Sequence, residues 1–213
     1  MLKINTFNLI LKRVTCIIAI IATFIVSVCA IFYIFFIPTY VVGVSMQPTI
    51  NSTTSTLIGN NDKIYINRFA SANKNDIVVL KVAGIDMETS NGYIIKRLIA
   101  IENDCVDIKL NATTNDYELL VNNKVVYSRP YKDYYPTVSS FESYKVNLED
   151  KSRLTDQGLK LTKGEVFLLG DNWNNSADSS LYGPFKVKDI VGRVDIIVQP
   201  NENDFVEILK YVF

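Results

Sequence analysis

The sequence predicts a mainly β domain that follows a single membrane-spanning helix. The first observation is an uncharged run of 24 residues, from Val14 to Ile37. The second is a series of short apolar or alternating segments separated by turn residues, which is typical of strands. The third is a tyrosine-rich polar segment, 128–156, whose composition predicts a loop-dominated insertion. The 213 residues suffice for the helix and one domain with a core of its own.

The apolar run is long enough to cross a bilayer. As a helix with a rise of 1.5 Å per residue it would be about 36 Å long. A cleaved signal peptide ending at Ala30 is the alternative, because small residues precede that position. The apolar run continues unbroken past Ala30, and this favours an uncleaved anchor.

The distribution of basic residues predicts the orientation of this anchor. Lys3, Lys12 and Arg13 precede the run, and no Lys or Arg follows it until Lys63. By the positive-inside rule, residues 1–13 form a cytoplasmic tail and the chain after a transmembrane helix at 14–37 lies on the far side of the membrane.

The remainder of the chain is predicted to form short strands. The segments with strand patterns are 57–58, 63–66, 77–82, 93–101, 106–110, 165–169 and 189–198. Asn122-Asn123, between two alternating segments, predicts a tight hairpin. The last ten residues, 204–213, fit either a short helix or an edge strand.

Composition excludes several kinds of site. The chain contains no histidine, which removes the Ser-His-Asp triad and imidazole metal ligation. Cys16 and Cys29 lie in the apolar run and Cys105 stands alone, so neither a zinc site nor a disulfide framework is expected. Basic and acidic residues balance at 22 each, so no nucleic-acid partner is expected.

Ser45 stands where an extended apolar stretch gives way to a constrained turn. It lies in 41–49, which reads Val-Val-Gly-Val-Ser-Met-Gln-Pro-Thr. Gly43 permits unusual backbone angles, and Pro48 restricts itself and the residue before it. Such a turn can hold a hydroxyl out toward a cleft, although an ordinary strand-end serine is the alternative. The short link to Ile37 keeps Ser45 within about 30 Å of the predicted span.

A serine nucleophile needs a base, and Lys96 is the candidate. Side chains alternate along a strand, so Lys96 shares a face with Ile94 and Leu98. To act near neutral pH, its pKa would have to fall from about 10.4 by about three units, which burial against aliphatic groups can achieve. A lysine whose stem covers the edge of the core while its amine stays in water is the alternative.

A third segment supports this pairing. Residues 168–180, Leu-Leu-Gly-Asp-Asn-Trp-Asn-Asn-Ser-Ala-Asp-Ser-Ser, leave an apolar strand and form a loop dense in polar side chains. Such a loop is typical of a site wall, and a plain polar turn is the alternative. Segments 43–49, 95–97 and 170–179 together resemble the sequence boxes of the type I signal peptidases, in order and in spacing. The resemblance extends to 190–193 and to the preceding anchor.

This resemblance implies a membrane-bound serine endopeptidase that removes N-terminal signal peptides from exported proteins. It implies that Ser45 is the nucleophile and that its backbone N–H forms the oxyanion hole. Lys96, neutral at rest, would be the general base of a Ser/Lys dyad, and Ser176 would form a hydrogen bond with Lys96 that orients it. Arg97 would pair with Asp171.

The resemblance also implies a fold. An antiparallel β catalytic core would comprise 38–107 and 161–213, and a smaller β lobe, 108–160, would be inserted in it. Asp178 would brace the polar loop, a structural role. No cofactor and no metal are expected; the partners would be signal-peptide-bearing precursor proteins and membrane lipid. The location would be the bacterial plasma membrane, with the mitochondrial inner membrane as the alternative.

Three positions depart from the family pattern. Gly43 stands where many members carry a serine whose hydroxyl completes the oxyanion hole. Ser180 stands where the family has an arginine, so Asp178 lacks its usual charge partner and a looser loop is expected. Residues 100–104 replace a Gly-Leu-Pro-Gly-Asp turn, although Asn103-Asp104 can still form one.

Other functions remain open at this point. One alternative is a dedicated processing enzyme for a single cargo such as a pilus subunit, which the altered loop and the tyrosine-rich segment would suit. Another is a non-catalytic membrane-anchored assembly factor on the same fold. The retention of Ser45 and Lys96 counts against the second.

Overall fold

A computed structural model gives the fold and describes residues 2–51, 61–82, 92–200 and 202–212. The strand predicted at 57–58 lies outside the described residues. The chain divides into two compact units, Met1–Ile37 and Pro38–Phe213. Within the described ranges the helices are α1 (Leu2–Phe35), α2 (Tyr131–Asn147), α3 (Ser179–Tyr182) and α4 (Asp204–Val212).

The strands form two sheets. They are β1 (Phe36–Tyr40), β2 (Lys63–Asn67), β3 (Ile77–Lys81), β4 (Tyr93–Ala100), β5 (Cys105–Asn111), β6 (Asp116–Val121), β7 (Lys124–Pro130), β8 (Leu154–Thr155), β9 (Gly158–Lys160), β10 (Glu165–Leu169), β11 (Phe185–Lys186) and β12 (Ile190–Val198). The larger sheet has the order β1-β2-β12-β3-β4-β10-β11, and the smaller has the order β7-β6-β5-β9-β8. All pairings from β2 to β11, and all pairings in the smaller sheet, are antiparallel. The prediction of a mainly antiparallel β fold behind one apolar helix is confirmed.

Helix α1 contains the predicted apolar run from Val14 to Phe35. Its segment Leu9–Phe35 is long and apolar enough to cross a membrane, and all of its side chains except the half-buried Phe32 are exposed. The helix ends two residues before the predicted limit because the chain becomes extended at Phe36, ahead of Pro38. A proline restricts the residue before it to extended backbone, which is consistent with this early end.

One hydrophobic core joins the two sheets. It combines Val106, Leu119 and Leu159 of the smaller sheet with Phe167 and Leu169 of the larger one. These side chains are at most 1% exposed. The core therefore fixes the end of β10, and with it the start of the loop 170–180.

The expectation of a loop-dominated insertion at 128–156 is wrong for most of that segment. Residues Tyr131–Asn147 form the 17-residue helix α2. Val138 and Phe141 are buried at helical spacing, and the Phe141 ring meets Phe167 edge to face at 5.4 Å. The sequence pattern did not predict this helix, because the segment contains prolines at 130 and 136 and few apolar residues. The apolar face formed by Val138 and Phe141 is narrow, and it stabilises the helix only by packing against the core.

Other local predictions are confirmed. Asn122 and Asn123 both have positive φ, 52° and 62°, as a two-residue hairpin turn between β6 and β7 requires. Asn103 has φ 70°, and the Asp104 N–H donates to the Ile101 carbonyl at 3.1 Å, so the altered turn after β4 forms. Of the two possibilities for the C-terminal segment, the chain adopts a helix, α4.

Candidate active site

Ser45 begins a tight turn that its neighbours anchor in the domain. The Gln47 N–H donates to the Val44 carbonyl at 3.1 Å, and the Ile50 N–H donates to the Met46 carbonyl at 2.9 Å. Met46 and Ile50 are fully buried, whereas Ser45 is only half-buried. The apolar anchors therefore hold the turn while the hydroxyl stays accessible.

Lys96 lies on the buried face of β4, as the strand alternation predicted. Ile94, Lys96 and Leu98 are all buried, and Lys96 is 4% exposed. Its Nζ donates a hydrogen bond to Ser45 Oγ at 2.9 Å, across 51 positions of sequence. The structure thus brings together the two residues on which the sequence hypothesis depends.

Burial lowers the pKa of Lys96, because a charged ammonium loses its hydration among aliphatic neighbours. The negative charges of Asp178 and Asp171 act in the opposite direction, and desolvation is the larger effect. The amine is therefore more easily deprotonated than that of an exposed lysine.

Arg97 points to the other side of β4 and pairs with Asp171. Its Nε donates to Asp171 Oδ1 at 2.7 Å, and its second guanidinium nitrogen donates to Oδ2 at 2.5 Å. The Asp171 carboxylate also accepts from Thr49 Oγ1 at 2.5 Å. One carboxylate therefore connects the lysine strand, the polar loop and the end of the serine turn. The hydrogen bond between Arg97 and Asp171 raises the pKa of Arg97.

Asp178 is completely buried and accepts three hydrogen bonds. The donors are the Gly170 N–H at 3.0 Å, the Ser180 N–H at 3.0 Å and the Ser180 hydroxyl at 2.8 Å. Ser180 is itself 1% exposed. The Ser180 hydroxyl thus donates to Asp178 without supplying a positive charge. The expected looseness of the loop stays a prediction.

Ser176 lies in the site but does not form the expected hydrogen bond to Lys96. Its Oγ is buried and has no hydrogen-bond partner among the described residues. It packs against Gly170, at the point where Gly170 also meets the carbonyl of Ser45. The orienting role of Ser176 therefore stays a prediction.

Two further contacts were not predicted as parts of the site. The Asn172 N–H donates to the Ser45 carbonyl at 3.0 Å, and Asn172 Nδ2 donates to the Val44 carbonyl at 3.1 Å. Asn172 lies in segment 170–179, which resembles one of the family's sequence boxes, but no local sequence pattern indicates which carbonyl its side-chain amide will bind.

Helix α2 contributes the second unpredicted contact. The Thr137 hydroxyl donates to the carbonyl of Trp173, and the Trp173 side chain is 3% exposed. Trp173 opens the one-turn helix Trp173–Asn175, directly before Ser176. The tyrosine-rich segment therefore packs against the loop that carries Ser176 and Asp178, a contact between distant segments that no local pattern reveals.

Comparison with known proteins defines the class of this chain. A family model described as signal peptidase, peptidase S26, matches residues 13–199, and this assigns the chain to the peptidases. The chain is 32% identical over 161 residues to signal peptidase I V of Bacillus subtilis (strain 168), which covers 75% of this chain and 83% of that protein. It is 30% identical over 171 residues to signal peptidase I P of Bacillus subtilis subsp. natto, which covers 78% of each.

A match over a smaller share of the chain is with thylakoidal processing peptidase 1 of Arabidopsis thaliana. The identity is 32% over 131 residues, covering 59% of this chain and 32% of that longer protein. The chain belongs to the signal peptidase family, peptidase S26. The resemblance seen in the sequence is confirmed.

Proposed function

We propose that this chain is a membrane-anchored serine endopeptidase that removes signal peptides from exported proteins through Ser45 and Lys96. The observation that carries the proposal is the 2.9 Å separation of Lys96 Nζ and Ser45 Oγ, with Lys96 buried. A neutral amine at that distance has a lone pair that can accept the serine proton.

The reaction would proceed by acyl transfer. Lys96 takes the proton from Ser45 Oγ as that oxygen attacks the carbonyl carbon of the substrate. The Ser45 N–H, which donates to no described residue, is free to stabilise the oxyanion. The protonated Lys96 then gives its proton to the leaving amine, which yields an acyl-enzyme and releases the mature protein. Water, activated by Lys96, hydrolyses the ester and releases the signal peptide.

The substrate would bind as an extended chain. Strand β4 pairs with β3 along its whole first half, from Tyr93 to Arg97, but pairs with β10 only from Arg97 to Ala100. The β10 side of residues 93–96 therefore has no partner among the described strands, and a peptide can add there as a strand. By family resemblance, small side chains such as alanine would lie one and three residues before the cut.

The anchor suits this substrate, because a signal peptide is itself an apolar segment that leaves the bilayer near its cleavage site. Helix α1 would span the plasma membrane once, with residues 1–13 in the cytoplasm and the β domain outside it. Protease added to sealed right-side-out membrane vesicles should digest the β domain. Complete protection of the β domain would reverse the proposed orientation.

Cleavage of a purified precursor by the detergent-solubilised chain tests the function. The wild type should make one cut after a small residue, and Ser45→Ala and Lys96→Ala should make none. Lys124→Ala, which removes an exposed lysine of the β6–β7 hairpin, is the matched control and should cleave normally. Normal cleavage by Lys96→Ala would reject Lys96 as the base. A wild type inactive on every precursor would favour the assembly factor.

A further inference from the structure

Asn51 closes the segment that carries Ser45. Its side-chain Nδ2 donates to the carbonyls of Val41 at 2.9 Å and Gly43 at 3.1 Å. Its Oδ1 accepts from the Asp62 N–H at 2.8 Å. One amide therefore uses both of its donor hydrogens on the segment between β1 and Ser45 and its acceptor on the chain that enters β2.

The backbone of Asn51 extends this arrangement. Its N–H donates to Asp62 Oδ2 at 2.7 Å, and its carbonyl accepts from Gln47 Nε2 at 2.7 Å. The Val41 N–H in turn donates to the Asp62 carbonyl at 3.0 Å. Asn51 and Asp62 are 7% and 5% exposed, so the bonds that Asn51 makes with Val41 and Asp62 are shielded from competing water, whereas those with Gly43 and Gln47 are partly buried.

The hydrogen bonds of Asn51 reach residues on both sides of Ser45 in the sequence. The bonds of Asn51 fall on residues 41, 43 and 47, so two lie before the serine and one lies after it. A buried carbonyl that loses its donor carries a desolvation penalty, so a displaced segment would leave several groups unpaired at once. The network therefore selects one backbone conformation for residues 41–47.

The residue type matches this task. Asn51 has φ 54°, in the left-handed region that asparagine tolerates better than most side chains. Aspartate at this position would keep the shape but lose both donors, and it would place a negative charge against two carbonyls and Asp62. Glycine would keep the backbone conformation and lose every side-chain bond.

We infer that Asn51, held by Asp62, is a positioning residue that fixes residues 41–47 and thereby keeps the Ser45 hydroxyl within reach of Lys96. This inference rests on the proposed function, since it concerns the same serine. It assigns a role in the site to a residue that touches neither the serine hydroxyl nor the lysine amine.

The test compares Asn51→Asp with Asn115→Asp in the full-length chain. Asn115 also has a left-handed backbone, with φ 58°, but it is exposed in the turn between β5 and β6. For Asn51→Asp we expect kcat on a precursor to fall at least tenfold while KM stays within about twofold. The rate of acylation of Ser45 by a small activated ester, followed by intact mass, should fall by a similar factor. Asn115→Asp should match the wild type in both.

Hydrogen exchange gives a readout that does not depend on catalysis. The peptide spanning 41–47 should exchange at least tenfold faster in Asn51→Asp than in the wild type, and the rest of the β domain should be unchanged. If Asn51→Asp does not fold, Asn51→Gly carries the same measurements, since it retains the backbone conformation.

The outcomes separate the two proposals. Unchanged acylation of Ser45 in folded Asn51→Asp or Asn51→Gly would overturn the positioning role, even if the Tm fell. If the wild type cleaves no precursor but its Ser45 is acylated by the ester, and if Asn51→Asp loses that acylation, the result would support the positioning role and reject the proposed peptidase.

Discussion

Gly170 lies directly against Ser176. A methyl group on Gly170 would overlap the Ser176 hydroxyl and would lie 2.5 Å from the carbonyl oxygen of Ser45. The serine turn and the polar loop therefore meet at a point where only a hydrogen atom fits.

We expect Gly170→Ala to destabilise the protein and to impair cleavage. Overpacking of a tight contact costs about 1–3 kcal/mol, and part of the strain would move Ser45 itself. Urea unfolding and the rate of precursor cleavage measure the two effects. Adding Ser176→Gly removes one of the two clashes, so the double variant should recover part of the stability. An unfolding midpoint equal to that of the wild type would show that the contact is looser than described.

The pH dependence of cleavage should follow deprotonation of Lys96. Burial lowers its pKa, so kcat/KM should rise with pH to a plateau, with an apparent pKa well below the ordinary value of about 10.4. A stopped assay over a wide pH range measures this. Lys96→Met, which has no titratable amine, should be inactive throughout. A flat profile in the wild type from mildly acidic to strongly alkaline pH contradicts the assignment.

The same pKa change affects stability. Between the lowered pKa of Lys96 in the folded protein and its ordinary value in the unfolded chain, the unfolded chain binds more protons. The free energy of unfolding should therefore rise with pH across that window. Lys96→Met has no amine to titrate and should lack this contribution. The free energy of unfolding of the wild type minus that of Lys96→Met should therefore rise with pH across the window.

Asp171→Asn should be strongly destabilising. It removes the charge that pairs with Arg97, and the two side chains are only 11% and 18% exposed. The pair is partly buried, and loss of a hydrogen-bonded charge partner at such a site costs about 1.5–3 kcal/mol, because the Arg97 charge is left without its carboxylate. Asp156→Asn, at an exposed aspartate, is the control and should leave thermal and urea unfolding unchanged. Equal stability of the two variants would mean that Asp171 does not hold the three segments together.

Gly43→Ser tests whether this chain lacks an oxyanion donor. Space is available, because among the described residues, apart from the two chain neighbours of Gly43, no atom lies within 4 Å of a Cβ added there. The backbone is the obstacle, since φ is 103° and a side chain there costs about 1–3 kcal/mol of strain.

Gly43→Ala provides the matched comparison, because it carries the same strain without the hydroxyl. Both variants should lose stability to a similar degree. If the serine hydroxyl donates to the oxyanion, kcat of Gly43→Ser should exceed that of Gly43→Ala about tenfold or more. Equal kcat values would show that the backbone N–H of Ser45 suffices or that the added hydroxyl points elsewhere.

Local sequence patterns predicted several features of this protein. The uncharged run predicted α1, the Asn122-Asn123 pair predicted the β6–β7 hairpin, and strand alternation predicted that Lys96 lies on the buried face of β4. These features depend on residues close together in the chain, where periodicity and backbone preference are readable. The order of the boxes then identified the family, although each box alone is weak.

Other features depend on which distant segments meet. The 2.9 Å approach of Lys96 to Ser45 and the packing of α2 against Trp173 join segments far apart in sequence. The Ser180 hydroxyl bonds Asp178 only two residues away, and Ser176 Oγ has no partner among the described residues, but both outcomes depend on how the loop packs against the rest of the domain. Asn51 is the clearest case, because nothing in its neighbours distinguishes it from other polar turn residues. Periodicity determines which side of an element is buried, but the packing of the two sheets around one core decides which side chains come within hydrogen-bonding distance.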